Sequence, residues 1–202
     1  MKRLGSMSIG TMAAFLLLPS GMGMAGEIRG KVTALGMRSP EDIVVYIDAI
    51  PDRTFPPPPR HALVEQKNMK FVPHLIAVLK GTTVDFLNSD AVGHNVFWPS
   101  IGGRKNLAHN LGTWPKGTSK SYTFEILGAA PLLCNVHPEM SGYVVVVPTP
   151  YFSVTNKEGH YEISGVPPGA YILKTWSEEG RSGIREVQLT GGPATVDLTI
   201  RR

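Results

Sequence analysis

Cys134, His137 and Met140 share one short stretch, Leu133-Cys134-Asn135-Val136-His137-Pro138-Glu139-Met140, and His94 lies upstream in Asp90-Ala91-Val92-Gly93-His94-Asn95. A thiolate, two imidazoles and a thioether form the donor set of an electron-transfer copper centre, with two His and one Cys in a trigonal arrangement and a weak axial Met. Soft sulfur favours Cu(I) and imidazole suits both oxidation states, so one ion could cycle between Cu(I) and Cu(II) with little rearrangement. Other chemistries fit these residues less well. Zinc takes Cys and His but rarely selects Met. A Cys–His hydrolase would need an orienting Asn or Asp and an oxyanion site, and nothing here completes that set. Haem c attachment needs a second cysteine, and the chain has only Cys134. A buried structural thiol is the remaining alternative for Cys134.

The single cysteine matters because of where the chain is expected to go. Residues 1–25 read as a cleaved signal peptide: Lys2 and Arg3 form a charged start, residues 11–18 an apolar run, Pro19, Ser20, Gly21 and Gly23 a break, and Ala25 a small residue for cleavage. The protein is therefore expected in the periplasm or otherwise exported, where cysteines are normally paired, and an unpaired one needs a role. Loss of this segment takes five of the eight methionines and leaves Met37, Met69 and Met140. The net charge of +4 falls to +2 with Lys2 and Arg3 gone, and no block of like charges points to nucleic acid. No later stretch is long and apolar enough to span a bilayer.

The elements that must position these ligands are short strands. Gly (22) and Pro (17) are plentiful and charged residues make up only 18% of the chain, a composition that suits a turn-rich all-β protein. Residues 26–50 hold two strands, over 27–35 and 43–50. The run PDRTFPPPPR then marks a stiff linker over 51–61, since consecutive prolines cannot join a central strand. Residues 62–148 read as seven short strands (63–66, 74–79, 83–87, 95–99, 120–126, 132–134 and 142–147) separated by turn signals, the pattern of an antiparallel sandwich. A short helix over 104–112 is the one exception the pattern admits. Residues 151–202 form a second β-rich stretch, with strands near 152–155, 161–163, 171–176, 184–189 and 194–200, too small to bury a core unaided. On this layout Cys134 ends one strand, His137 sits at a loop tip, Met140 precedes the next strand, and His94 comes from the loop before 95–99.

Residues 62–148 resemble the cupredoxins. The Cys-x2-His-x2-Met loop, with Pro138 after the histidine, is similar to that of amicyanins. The stretch Gly81-Thr82-Thr83-Val84-Asp85-Phe86 leading to Asp90 and His94-Asn95-Val96, and Ser121-Tyr122-Thr123-Phe124 ahead of the cysteine, also match cupredoxin usage. One departure is Leu132-Leu133 before Cys134, where many amicyanin-like proteins carry an aromatic residue; it bears on the potential and not on the ligand set. The resemblance implies outer contacts too, with Asn95 reaching the backbone of Asn135 to tie the two ligand loops together. The segment from Tyr151 to Trp176 resembles the carboxypeptidase-regulatory, transthyretin-like sandwich, whose first strands are similar to residues 26–50. The implied architecture is a cupredoxin Greek-key β-sandwich inserted into or joined to a small transthyretin-like β-sandwich. The alternative is that residues 26–50 add edge strands to the cupredoxin. The same order is familiar from exported cupredoxins of methylamine-utilisation type, an association that implies no methylamine substrate.

Three functions follow as expectations. The first is one-electron transfer with a redox partner protein such as a cytochrome or oxidoreductase, and no catalysis on a substrate. The second is copper tolerance or delivery, although the chain beyond the signal segment has no Met-rich or His-rich tract for storage. The third is a non-redox scaffolding module. His61, His74, His109, His160, Met37 and Met69 read as surface or packing residues, and Arg104, Lys105, Lys116 and Lys120 as solvated loop positions.

Overall fold

The computed structural model describes residues 25–202. The signal peptide expected over residues 1–25 therefore lies outside the described residues except for Ala25. The first strands are β1 (Gly26–Leu35) and β2 (Val44–Ile47). The middle of the chain adds β3 (Ala62–Gln66), β4 (Phe71–Val72), β5 (Leu75–Leu79), β6 (Thr82–Asn88), β7 (His94–Trp98), β8 (His109–Trp114), β9 (Ser119–Phe124), β10 (Gly128–Leu133) and β11 (Ser141–Val147). The last part supplies β12 (Phe152–Val154), β13 (His160–Val166), β14 (Gly169–Trp176), β15 (Ile184–Leu189), β16 (Pro193–Thr195) and β17 (Leu198–Arg201).

These strands make four sheets. Two come from the middle of the chain, in the orders β5-β11-β10-β7-β8 and β4-β3-β6-β9. The other two combine both ends of the chain: β13-β1-β16 with β17 also on β1, and β12-β2-β14-β15. Thus β1 pairs antiparallel with β13 and parallel with β16 and β17, while β2 lies between β12 and β14.

Alternation along the strands sorts side chains into three apolar layers. One layer packs Ile28, Val45, Ile47, Ile163 and Leu173 between the two end-derived sheets. A second packs Val64, Phe86, Trp98, Phe124, Leu132 and Val144 between the two middle sheets, and it includes Cys134 and Met140. The third joins the pairs: Val44, Leu75, Val145 and Val147, with Tyr46, Tyr143, Phe152 and Trp176 against them. Strand β11 explains why no polar residue interrupts its valines. Val144 and Val146 face the core that includes Cys134 and Met140, and Val145 and Val147 face the other sandwich, so the strand is covered on both sides. Each valine so buried contributes about 1.5–3 kcal/mol relative to leaving it in water.

The middle of the chain has nine strands where seven were expected, and the pairs β5–β11 and β3–β6 are parallel, not antiparallel; two further differences have a local physical reason. Residues 104–112 do not form a helix: a 3-10 turn at Lys105–Leu107 leads into β8. The polar segment satisfies its backbone by pairing with β7, from Trp98↔His109 to His94↔Trp114, and Gly112 sits at φ 77, a value no helix keeps. The single strand expected over 194–200 is two strands, broken at Val196 and Asp197. There the Asp197 carboxylate accepts the Lys31 N–H at 2.8 Å, in place of a ladder carbonyl, and the Tyr161 hydroxyl donates to the Val196 carbonyl at 2.6 Å.

Candidate metal centre

The ligand-bearing loops meet because of strand order. β10 and β11 are antiparallel neighbours paired through Leu133↔Ser141, and β10 contacts β7 through Leu133↔Phe97. The end of β10, the start of β11 and the start of β7 therefore lie at one end of the sheet. Cys134 follows β10, Met140 precedes β11, and His94 is the first residue of β7 and not part of a loop.

Among the described residues, His94, Cys134 and His137 form a group whose ligand atoms all lie within 4.8 Å of one another. His94 is fully buried and Cys134 is 3% exposed, while His137 is half-buried. The Nδ1 atoms of the two histidines are 3.0 Å apart. Met140 is buried in the same apolar layer as Cys134, and its N–H donates to the His137 carbonyl at 3.0 Å, closing the loop into a tight turn. The thiol is unpaired and accepts the Asn95 N–H at 3.5 Å. This donor set fits a copper ion: a sulfur already oriented toward a hydrogen-bond donor, two facing imidazole nitrogens, and a thioether donor close by in sequence.

Asn95 stitches the loops together. Its Oδ1 accepts the Asn135 N–H at 3.2 Å, and its Nδ2 donates to Asn110 Oδ1 at 2.8 Å and to the Gly112 carbonyl at 3.0 Å. Gln66, fully buried on β3, donates from Nε2 to the Asn95 carbonyl at 3.2 Å. Each contact uses a polar group that would be costly to leave unpaired at this depth.

One contact has no counterpart in the sequence reading. Asp90 Oδ2 stands 2.9 Å from His94 Nε2 and also accepts the Met69 N–H at 2.9 Å, while Oδ1 accepts the Asn68 N–H at 2.7 Å. Burial alone would raise the Asp90 carboxyl, but the Met69 N–H, His94 and the Asn68 N–H outweigh it and hold the group below its usual range. A carboxylate four residues before a ligand histidine was the available sequence signal.

The other histidines and basic residues lie apart from this group. His61 pairs with Asp85, His74 bridges the Ser141 carbonyl and Glu178, and His109 stacks against Trp98 and Tyr122. Arg104 donates to the Leu127 carbonyl, and Lys120 donates to the Leu111 carbonyl with its ammonium over the Trp114 ring.

Residues 60–147 match the family model described as copper binding proteins of the plastocyanin/azurin family. Among solved structures, the chain is similar to an oxidised proline-to-alanine variant of amicyanin at 30% identity, covering 43% of this chain and 81% of that one with a TM-score of 0.40. A reduced Cu(I) form at pH 4 of a proline-to-glycine variant of amicyanin shares 28% identity over 50% of this chain and 97% of that one, TM-score 0.40. A purple cupredoxin from Nitrosopumilus maritimus shares 25% over 42% and 98%, TM-score 0.38. A comparison with the curated proteins finds no match.

Proposed function

Because residues 60–147 belong to the copper-binding plastocyanin/azurin family, we propose that this chain is an exported one-electron carrier built on a single copper ion, with no reaction of its own on a substrate. The observation that carries this reading is the assembled group of His94, Cys134 and His137, with ligand atoms within 4.8 Å of one another. Met140 is assigned as the fourth, weak ligand. Bound there, copper supplies one-electron exchange between Cu(I) and Cu(II). The residues around it supply rigidity: His94 and Cys134 hold from inside the sandwich, and Asn95 ties their loops so that the same donor positions serve both oxidation states.

His137 is half-buried and offers the route to a partner. Val92 is 47% exposed and Val136 49% exposed, and these residues flank the two ligand segments. An apolar rim of this kind suits the small, short-lived contact of a redox protein such as a cytochrome or oxidoreductase. The second sandwich, read as transthyretin-like, would fix the copper domain as a relay. Export is supported by the charged start, apolar run and small residue of the first 25 positions. No helix among the described residues is long and apolar enough to cross a membrane.

The test is addition of Cu(II) to the metal-free protein, followed by mixing with a soluble c-type cytochrome. An intense visible thiolate-to-copper band, absent in Cys134→Ser, and millisecond electron exchange are expected. A colourless protein that takes zinc and refuses copper would sink the reading. Slow exchange together with rapid surrender of copper to a chelator would turn it toward delivery.

A further inference from the structure

A polar contact joins the second sandwich to the metal-ligand end of the first. Strand β14 ends at Trp176, and the loop that follows carries Glu178. Ser177 Oγ accepts the Gly180 N–H at 2.8 Å, and Arg38 Nε lies 3.1 Å from the Glu179 carboxylate, so the loop is tied down on both sides of Glu178. Glu178 divides its two oxygens between side chains of the copper domain. Oε1 accepts the Tyr143 hydroxyl at 3.0 Å, and Oε2 stands 3.3 Å from His74 Nε2. The other nitrogen of that ring, Nδ1, lies 3.1 Å from the Ser141 carbonyl. Carboxylate and carbonyl oxygens only accept, so the ring meets both with a proton on each nitrogen. The Trp176 ring lies against Tyr143, with centroids 5.1 Å apart, and keeps the phenol in place.

Ser141 is the first residue of β11 and follows Met140 directly. Gly142 leaves no slack beside it: a Cβ there would sit 2.8 Å from the His74 carbonyl oxygen and 3.0 Å from Phe71 Cβ. The Tyr143 N–H donates to that same His74 carbonyl at 2.8 Å. His74 therefore grips the start of β11 on both sides of Gly142, with its ring at Ser141 and its backbone at Tyr143. The backbone grip belongs to the copper domain alone, whereas the ring is oriented by Glu178. We propose that Glu178 is a positioning residue for the metal centre, supplied by the second sandwich: through His74 it fixes the Ser141 carbonyl and so the turn that holds Met140. A weak axial thioether is the ligand that tunes the potential of such a centre. The second sandwich thereby adjusts the copper as well as carrying it.

The first arm of the test needs no copper. In metal-free Glu178→Ala, the Met140 N–H is expected to exchange with deuterium about two- to fivefold faster than in the unsubstituted chain. With side chains 41% and 47% exposed, the His74–Glu178 pair adds little to global stability, so this variant is expected to fold. Should it not, Glu178→Gln, which keeps the shape and removes the charge, takes its place. Gly30→Ala, which crowds the Val196 carbonyl on the other sheet of the same sandwich, is expected to leave the Met140 rate unchanged. An unchanged Met140 rate in the folded Glu178 variant, or equal acceleration in Gly30→Ala, overturns the proposal whether or not the protein binds copper. Failure here is thus distinct from failure of the copper reading, on which the second arm rests. In the copper-loaded chain, Glu178→Ala is expected to alter the ratio of Cu(II) to Cu(I) affinity about two- to fivefold. By voltammetry that is a shift of about 20–40 mV, at about 59 mV per tenfold. The double variant with His74→Ala should shift no further than His74→Ala alone, because Glu178 acts through His74. An unchanged potential, or additive shifts, overturns the proposal.

Discussion

His94 and His137 face each other nitrogen to nitrogen, with their Nδ1 atoms 3.0 Å apart and ring centroids 4.8 Å apart at an interplanar angle of 64°. The two rings come from opposite environments. His94 is fully buried at the start of β7, where it pairs with Trp114 of β8, whereas His137 rides on the loop between β10 and β11 and is half-buried.

That asymmetry predicts different responses to loss of each ring. In His137→Gly the hole opens toward solvent, so added imidazole should enter and restore the visible copper band. In His94→Gly the hole is buried and the flanking strands close over it, so imidazole should restore little. Absorbance titrations of both variants with imidazole check this, and equal rescue would contradict the difference in access.

Asn95 is 3% exposed and joins both ligand loops to β8. Asn95→Ala strands the Asn135 N–H and leaves the Gly112 carbonyl without that donor. A loss of about 1–3 kcal/mol in unfolding free energy is expected, with a shifted copper potential because the Cys134 loop is no longer held. Urea unfolding and voltammetry measure the two effects.

Gly30 lies where β16 gives way to β17. A Cβ built there would lie 2.0 Å from the Val196 carbonyl oxygen, which is backbone and cannot swing aside. Gly30→Ala should destabilise the sandwich formed by the chain ends by about 1–3 kcal/mol while leaving the copper absorption unchanged at room temperature. Thermal unfolding followed by far-UV circular dichroism, beside the visible band, separates the two responses.

Tyr143 links the sandwiches from the strand that follows Met140. Its hydroxyl donates to Glu178 Oε1 at 3.0 Å. Burial first, and then the bond to Glu178 and its charge, push the phenol up from its ordinary value near 10 to about 12. Below pH 10 the folded and unfolded chains both keep this proton, and the contribution of Tyr143 is fully present. Between pH 10 and 12 the unfolded chain loses the proton while the folded chain keeps it, so stability falls as pH rises. Tyr143→Phe should flatten this decline in urea midpoints, with a residual slope from Tyr161, which burial and then Asp197 also push up. An unchanged slope would show that Tyr143 does not carry the effect.

The sequence by itself determined the candidate donors and their order. Cys134, His137 and Met140 are local in the chain, and a lone cysteine beside these residue types is chemical information that needs no coordinates. The all-β character was equally legible, because period-two alternation and turn residues are short-range signals. Tertiary structure decided what alternation cannot address: which sheet covers which face. The run from Val144 to Val147 indicates a strand covered on both sides, but only the fold shows that Val145 and Val147 meet Val44 and Leu75. Residues 26–47 could have extended either sandwich, and it was the pairing of β1 with β13 and of β2 with β12 and β14 that placed them with the C-terminal strands. The strand β8 was missed because its polar residues carry no apolar period and gain their order only from the edge of β7. Asp90 was missed for a related reason: a carboxylate in a turn sequence looks solvated until a hairpin far off in the chain brings two N–H groups to it and His94 completes the set.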